Sequence, residues 1–252
     1  MTIHLTYSHE GDVATVILDR PEALNALDYD ALERVGEAFR IADANGARII
    51  LLRGEGRAFC AGADRRNYPG YNSNETNEGK AQHAINIGNQ VTQKITKTNA
   101  LTIAQLHGHV VGGGLVLAMC CDMRFAAENA SLSLPELKLG LPLGWGALYR
   151  LINIIGTSRA WDMLASLKTL SGKEAIDVGL CNAAVDEGML SNFVSGKIEE
   201  FLQIEVEALY LTKRQFRAIS STASLGNLED MDGPILLGPL RGNKIDSSFE
   251  EL

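Results

Sequence analysis

The chain is poor in proline and in aromatic residues, with 6 prolines and 6% Phe, Trp and Tyr among 252 residues. It also lacks a basic excess: 23 Lys plus Arg stand against 31 Asp plus Glu, a formal charge of −8. Nucleic acid and anionic membrane surfaces attract clustered cations, so neither is expected as a partner. No apolar run approaches the ~20 residues of a membrane span. The best candidate, Val110 to Cys121, is interrupted by Gly112, Gly113 and Gly114. The four cysteines, Cys60, Cys120, Cys121 and Cys181, have no paired metal-ligand spacing, and the adjacent pair is a poor disulfide candidate. They read as reduced, small, mostly buried residues of an intracellular protein. Met1-Thr2-Ile3-His4-Leu5-Thr6 has no basic stretch leading into an apolar run. No signal peptide is therefore expected, and a cytoplasmic location is. The phosphate-binding spacings GxxxxGK[ST] and strand-GxGxxG-helix are missing, as is the GxSxG of a nucleophile elbow.

What is present is an ordinary globular balance, 46% hydrophobic and 21% charged, with one excess: 25 glycines. That is about a tenth of the chain against roughly 7% on average. Glycine without proline points to tight turns and close backbone approaches. At this length one core buries about 70–75% of the unfolded chain's surface, so one large domain needs neither disulfides nor a structural metal.

Alternation and β-branched residues predict strands at 3–7 and 13–18 around a Glu10-Gly11-Asp12 turn. Leu32, Val35, Phe39 and Ala42 fall at helical spacing behind a capping Asp28, and an apolar strand follows at 47–52. Strand, helix, strand in that order places parallel strands side by side. Asn67, Asn72, Asn74 and Asn77 mark a long polar loop over 65–79. A helix through Ile87, Val91 and Ile95, a strand at 101–106, a helix entered through Gly112-Gly113-Gly114 and a strand at 123–127 come next. Helices are expected at 147–155, near 158–166 and over 190–220, with an irregular ending.

Two glycine turns each follow an apolar segment: Ala58-Phe59-Cys60-Ala61-Gly62-Ala63-Asp64 and Gly108-His109-Val110-Val111-Gly112-Gly113-Gly114. Backbone amides at a strand end and at a helix N-terminus can converge on one oxygen that gains negative charge. Close helix packing is the plainer reading of the three glycines taken alone. His107 and His109 alternate across a strand end with no further ligands in view, which favours a structural role. Glu136, directly after Pro135, has the position of an ordinary helix-start carboxylate.

These turns, together with Arg20-Pro21-Glu22-Ala23-Leu24-Asn25-Ala26-Leu27, Ser133-Leu134-Pro135-Glu136-Leu137-Lys138-Leu139-Gly140-Leu141-Pro142 and Leu170-Ser171-Gly172-Lys173-Glu174-Ala175, resemble the crotonase superfamily of enoyl-CoA hydratases and isomerases. The motifs are collinear from about Arg20 to about Asp186. The resemblance implies an α/β, crotonase (ClpP-like) fold of repeated β-β-α turns with a C-terminal helical trimerisation region. Residues 1–200 would form the spiral core and 201–252 a helical region with an atypical tail. A homotrimer or homohexamer is implied, acting on an acyl-CoA thioester. Coenzyme A would enter as part of the substrate, with no separate cofactor and no metal.

The implied chemistry is stabilisation of a thioester enolate between the amides of Ala63 and Gly113. Ala23, Leu24, Ala61, Gly62 and Asp64 would hold the nucleotide and pantetheine side. Gly112, Val116, Leu141, Gly144 and Trp145 would line the acyl side, with Gly140 and Gly146 helping to shape the wall beside Glu136. Glu136 matches the later of the two carboxylates that hydratases use; the earlier falls on Val116, which cannot exchange a proton. One carboxylate suffices for an enoyl-CoA double-bond shift, the leading expectation. The alternatives are an enoyl-CoA hydratase or lyase, a C–C bond-forming or decarboxylating member, and a non-catalytic acyl-CoA binder. Trp145 stands where relatives carry a small residue, which would reshape or shorten the acyl pocket. Asp122 is expected as a structural hydrogen-bond acceptor, and Asp64 as either a loop-orienting group or a turn residue.

Overall fold

The computed structural model describes residues 4–64 and 78–223. The Asn-rich segment and the ending after about Asn227 lie outside the described residues. β1 (His4–Glu10) and β2 (Val13–Asp19) form an antiparallel hairpin closed at Glu10↔Val13. α1 (Tyr29–Ala44) starts as expected: the Asp28 side chain accepts a hydrogen bond from the Ala31 amide. β3 (Ile49–Gly54) then lies parallel to β2. Ile49 to Leu52 are all buried, the continuous apolar run of a parallel strand covered on both faces. β4 (Ala58–Cys60), α2 (Glu78–Lys97), β5 (Leu101–Leu106), β6 (His109–Val111), α3 (Gly113–Cys120), β7 (Met123–Ala127) and β8 (Ser131–Ser133) follow. Glu78 and Gly79, assigned to the polar loop from sequence, are already helical.

Each passage from β3, β5 and β7 crosses from one sheet to a second. The first sheet has the order β1-β2-β3-β5-β7-β10, and the second β4-β6-β8-β9, where β9 is Leu170–Ser171 and β10 is Ala183–Val185. This is the α/β arrangement of repeated β-β-α turns that the resemblance implied. Strands β4, β6 and β8 are three residues each, too short for alternation to register; β4 and β6 fall within the two glycine turns, and β8 carries no strand signal in the sequence. Phe39, Phe59, Ile95, Ile103 and Leu115 are fully buried between the layers.

The remainder is helical: α4 (Ala147–Ile155), α5 (Thr157–Ala165), α6 (Gly172–Asp177), α7 (Leu190–Leu202) and α8 (Val206–Ala223). The capping box of α6 uses Ser171 and Glu174 from the motif noted above. α7 runs across residue 200. α8 is fastened by Lys213, 5% exposed, whose Nζ donates to Asp122 at 2.6 Å and to the Ala100 carbonyl at 2.6 Å. Asp122 also accepts from the Thr102 amide and hydroxyl, so it ties β5, α3 and α8 together. The four cysteines are free and buried.

Candidate active site

The site begins with a loop whose backbone is forced. After the 3-10 turn Pro21–Ala23, Leu24 and Asn25 take φ of 51° and 56°, left-handed values that Asn tolerates better than most residues. Asn25 is buried, and its amide does four jobs. Nδ2 donates to the carbonyls of Glu55 (2.9 Å), Ala58 (2.8 Å) and Phe59 (3.2 Å), while Oδ1 accepts from the Arg20 amide at 2.7 Å. The loop is thereby pinned to β4 and runs beside the first glycine turn. Ala61 N donates to Leu24 O (2.9 Å), Leu27 N to Gly62 O (2.7 Å) and Asp64 N to Leu27 O (2.7 Å). Leu27 thus brackets Ala63 in a parallel bridge, which turns the Ala63 amide to the opposite side. Arg20 Nη1 closes the strip by donating to the buried Asp64 carboxylate at 2.7 Å, so Asp64 orients the loop.

The second turn meets the first at Gly62, whose φ is +91°. A methyl group on Gly62 would lie 2.8 Å from the Val111 carbonyl oxygen and 3.5 Å from the Gly113 nitrogen. Ala63 N, one residue on, and Gly113 N, at the start of α3, therefore share one corner. Helix N-terminal amides lack intrahelical partners, so that corner can receive an anionic oxygen. Cys60 sits beneath it, its thiol donating to the Asn25 carbonyl at 3.1 Å and pushed up to about 12 by burial. It stays protonated and is no nucleophile.

The three consecutive glycines answer to three different neighbours. A methyl group on Gly112 would lie 3.0 Å from Glu136 Oε1, one on Gly113 2.8 Å from Trp145 Cζ3, and one on Gly114 2.7 Å from Cys60 Cβ. Glu136 reaches this place because Gly112 N donates to Ser133 O at 2.9 Å, three residues ahead of it. Its side chain does not cap the 3-10 turn Glu136–Leu139. Oε2 is buried with no hydrogen-bond partner, and desolvation raises the carboxyl from 4.5 to about 7 against a smaller opposing pull from its own backbone amide. That is the value a general base near neutrality needs.

Gly62, Ala63, Gly112, Gly113, Glu136 and Trp145 therefore meet in one place. Leu24, Ala61 and Asp64 form the adjoining strip, with Ala23 half-buried in the turn that leads to it. Val116, buried, follows Gly112 by one turn of α3, its amide donating to the Gly112 carbonyl at 3.0 Å. Leu141 adjoins through backbone, its N donating to Glu136 O; Gly144 immediately precedes Trp145 in the chain, and its carbonyl accepts from Ala147 N at the start of α4. The role of Asn25 went unremarked in the sequence because the carbonyls it bonds, those of Glu55, Ala58 and Phe59, are remote along the chain, and that of Arg150 because its tie to the Trp145 carbonyl depends on burial. Gly88, isolated inside a helical pattern, did carry a signal. His107 bonds to the Gly56 carbonyl, and no group of metal-ligating side chains occurs among the described residues.

A family profile described as enoyl-CoA hydratase/isomerase matches residues 8–229. A probable enoyl-CoA hydratase of Bacillus subtilis is 39% identical over 177 residues, covering 69% of this chain and 67% of that protein. The short-chain-enoyl-CoA hydratase of Clostridium acetobutylicum is 34% identical over 185 residues, covering 73% and 69%. The crystal structure of an enoyl-CoA hydratase from Bacillus halodurans superposes with a TM-score of 0.87 at 22% identity, covering 94% of this chain and 95% of that one. At that identity the likeness is one of fold.

Proposed function

The chain belongs to the enoyl-CoA hydratase/isomerase family, and from that premise we propose that it is an enoyl-CoA double-bond isomerase working with one carboxylate. The observation that carries this reading is Glu136: a buried, unpartnered carboxyl oxygen beside Gly112, one residue from the Gly113 amide, with Val116 in place of a second acid. Glu136 takes a proton from C2 of a 3-enoyl thioester. The electron pair moves into the carbonyl, whose oxygen takes the negative charge between the amides of Ala63 and Gly113. Each such donor is worth about 2.7–4 kcal/mol in the transition state. The protonated Glu136 then returns its proton to C4, the double bond comes to lie between C2 and C3, and the carboxylate is regenerated. No water enters. Ala23, Leu24, Ala61, Gly62 and Asp64 hold the coenzyme A portion by backbone contacts, and Val116, Leu141, Gly144 and Trp145 face the acyl portion. No resident cofactor or metal takes part.

The hydratase names of the relatives favour a second reading, addition of water to a 2-enoyl thioester. Feeding 2-enoyl and 3-enoyl thioesters and weighing the products separates the two: hydration adds the mass of one water, and isomerisation adds none. Glu136→Gln is expected to abolish turnover while acyl-CoA still binds. Wild-type protein that binds acyl-CoA without exchanging its α protons into deuterated water would instead be a non-catalytic binder. We further propose assembly as a homotrimer or homohexamer, supported by Phe216 and Ile219, which leave α8 with an exposed apolar face. Sedimentation equilibrium tests it. A cytoplasmic location accords with this reading, and no helix among the described residues is long and apolar enough to cross a membrane.

A further inference from the structure

We propose that Trp145 is the end wall of the acyl pocket and confines this chain to short acyl groups, its indole seated in a notch that Gly88 of α2 keeps open. The proposal rests on the enolate reading above and adds the substrate class. Three independent features fix the ring. Its benzo edge lies against Gly113: Cζ3 and Cη2 come within 2.8 and 3.0 Å of a methyl group placed there. An acyl group whose carbonyl oxygen is held by the Gly113 amide therefore has the ring as its neighbour. Its pyrrole edge lies against α2, where a methyl group on Gly88 would fall 2.0 Å from Nε1 and 2.2 Å from Cδ1. Any side chain at 88 would displace the indole. The backbone of Trp145 is held at φ +58°, a left-handed value unusual for a bulky residue. Its carbonyl accepts from Nη1 of the buried Arg150 at 2.8 Å. Strain of this kind persists where the surroundings over-determine the conformation.

A ring fixed at both edges and at its own backbone does not swing aside for a longer chain. The opposite end of the site is open: Ala23 and Leu24 are half-exposed, while Leu27, Leu143 and Trp145 are buried. A thioester enters along 23–24 and its acyl chain stops at the indole. The class this geometry accepts is a short acyl thioester.

The test uses saturated thioesters, which bind without turning over. Titration calorimetry compares butyryl-CoA with octanoyl-CoA on the wild-type chain, on Trp145→Gly, which suits the positive φ, and on Trp145→Phe, which keeps an aromatic ring but lacks the second ring that reaches Gly113. The wild type is expected to prefer butyryl-CoA by roughly tenfold or more, as a misfit in an apolar pocket typically costs. That preference should shrink in Trp145→Phe and vanish or reverse in Trp145→Gly. In a Trp161→Phe background, Trp145 is the remaining tryptophan, since the chain has two, and its emission should shift when butyryl-CoA binds. A wild-type chain that binds octanoyl-CoA as tightly as butyryl-CoA, or folded variants that keep the wild-type preference, would overturn the wall and leave the enolate reading intact. Failure of the wild type to bind either thioester would overturn both.

Discussion

Replacing Glu136 by Gln should move stability and chemistry in opposite directions, and the size of the stability effect follows from the burial of one carboxyl. Oε2 has no partner and no solvent, and the group's pKa rises from 4.5 to about 7. The folded chain thus holds this proton more tightly than the unfolded one. Below pH 4.5 both states carry the proton, and the stabilising preference for it is fully present. Between 4.5 and about 7 the unfolded chain ionises first, so stability falls as pH rises; above about 7 the loss is complete. At about 1.4 kcal/mol per pH unit, the whole loss is at most about 3.5 kcal/mol. Glutamine does not ionise and escapes it.

Wild type and Glu136→Gln should therefore be unfolded in urea at about pH 4.5 and about pH 8, and the difference between them compared. Any fixed cost of seating the amide cancels in that comparison. The variant should gain on the wild type by up to about 3.5 kcal/mol over the interval. In the same variant, exchange of α protons of a bound acyl-CoA into deuterated water should fall by about 10²–10⁴. Wild-type exchange should climb about tenfold per pH unit and level off near 7. A stability gap that does not change with pH would refute the reasoning at its root, because Glu136 would then ionise as an exposed glutamate does and could not be poised as a base.

Asn25→Ala removes three donated bonds and one accepted bond, and puts alanine at φ +56°. It should cost roughly 3 kcal/mol in denaturant unfolding; an unchanged midpoint would mean the loop holds itself. Asp122→Asn leaves the Lys213 ammonium buried without a counter-charge. A loss of about 3 kcal/mol is expected, much of it recovered when Lys213→Met is added, because the uncompensated charge and not the absent pair carries the penalty. With a net charge of −8, acyl-CoA affinity should hold or tighten as ionic strength rises and the Debye length shrinks from ~30 to ~8 Å. A steep loss of affinity with salt would show that a local cation cluster binds the ligand.

The parts of this fold that were legible are the ones whose signal is local. β5 and β7 show as apolar runs, and α1 through its period and Asp28. The second sheet was not, because its strands of two or three residues are set by what lies beside them: a methyl group on Gly108 would fall 2.0 Å from the Arg57 carbonyl oxygen. The same division runs through the site. The residue types at 61–64, 112–114 and 136 could be named from sequence, but the desolvation of Glu136, the three bonds Asn25 donates to the Glu55, Ala58 and Phe59 carbonyls and the seat of Trp145 on Gly88 are all contacts between distant segments.

The glycine run makes the physical point most directly. In sequence Gly112-Gly113-Gly114 reads as one motif, open to either close helix packing or an exposed helix N-terminus. In space each glycine yields to a different side chain, Glu136, Trp145 and Cys60 in turn. Two of those are groups the proposed chemistry and the proposed specificity depend on. Close packing and an anion-accepting amide, the two readings the glycines left open, are therefore not alternatives. Gly112 and Gly113 are small because the carboxylate and the indole must come up against α3. That same approach brings the proposed base and the proposed pocket wall to the Gly113 amide, which the proposed chemistry assigns to the thioester oxygen.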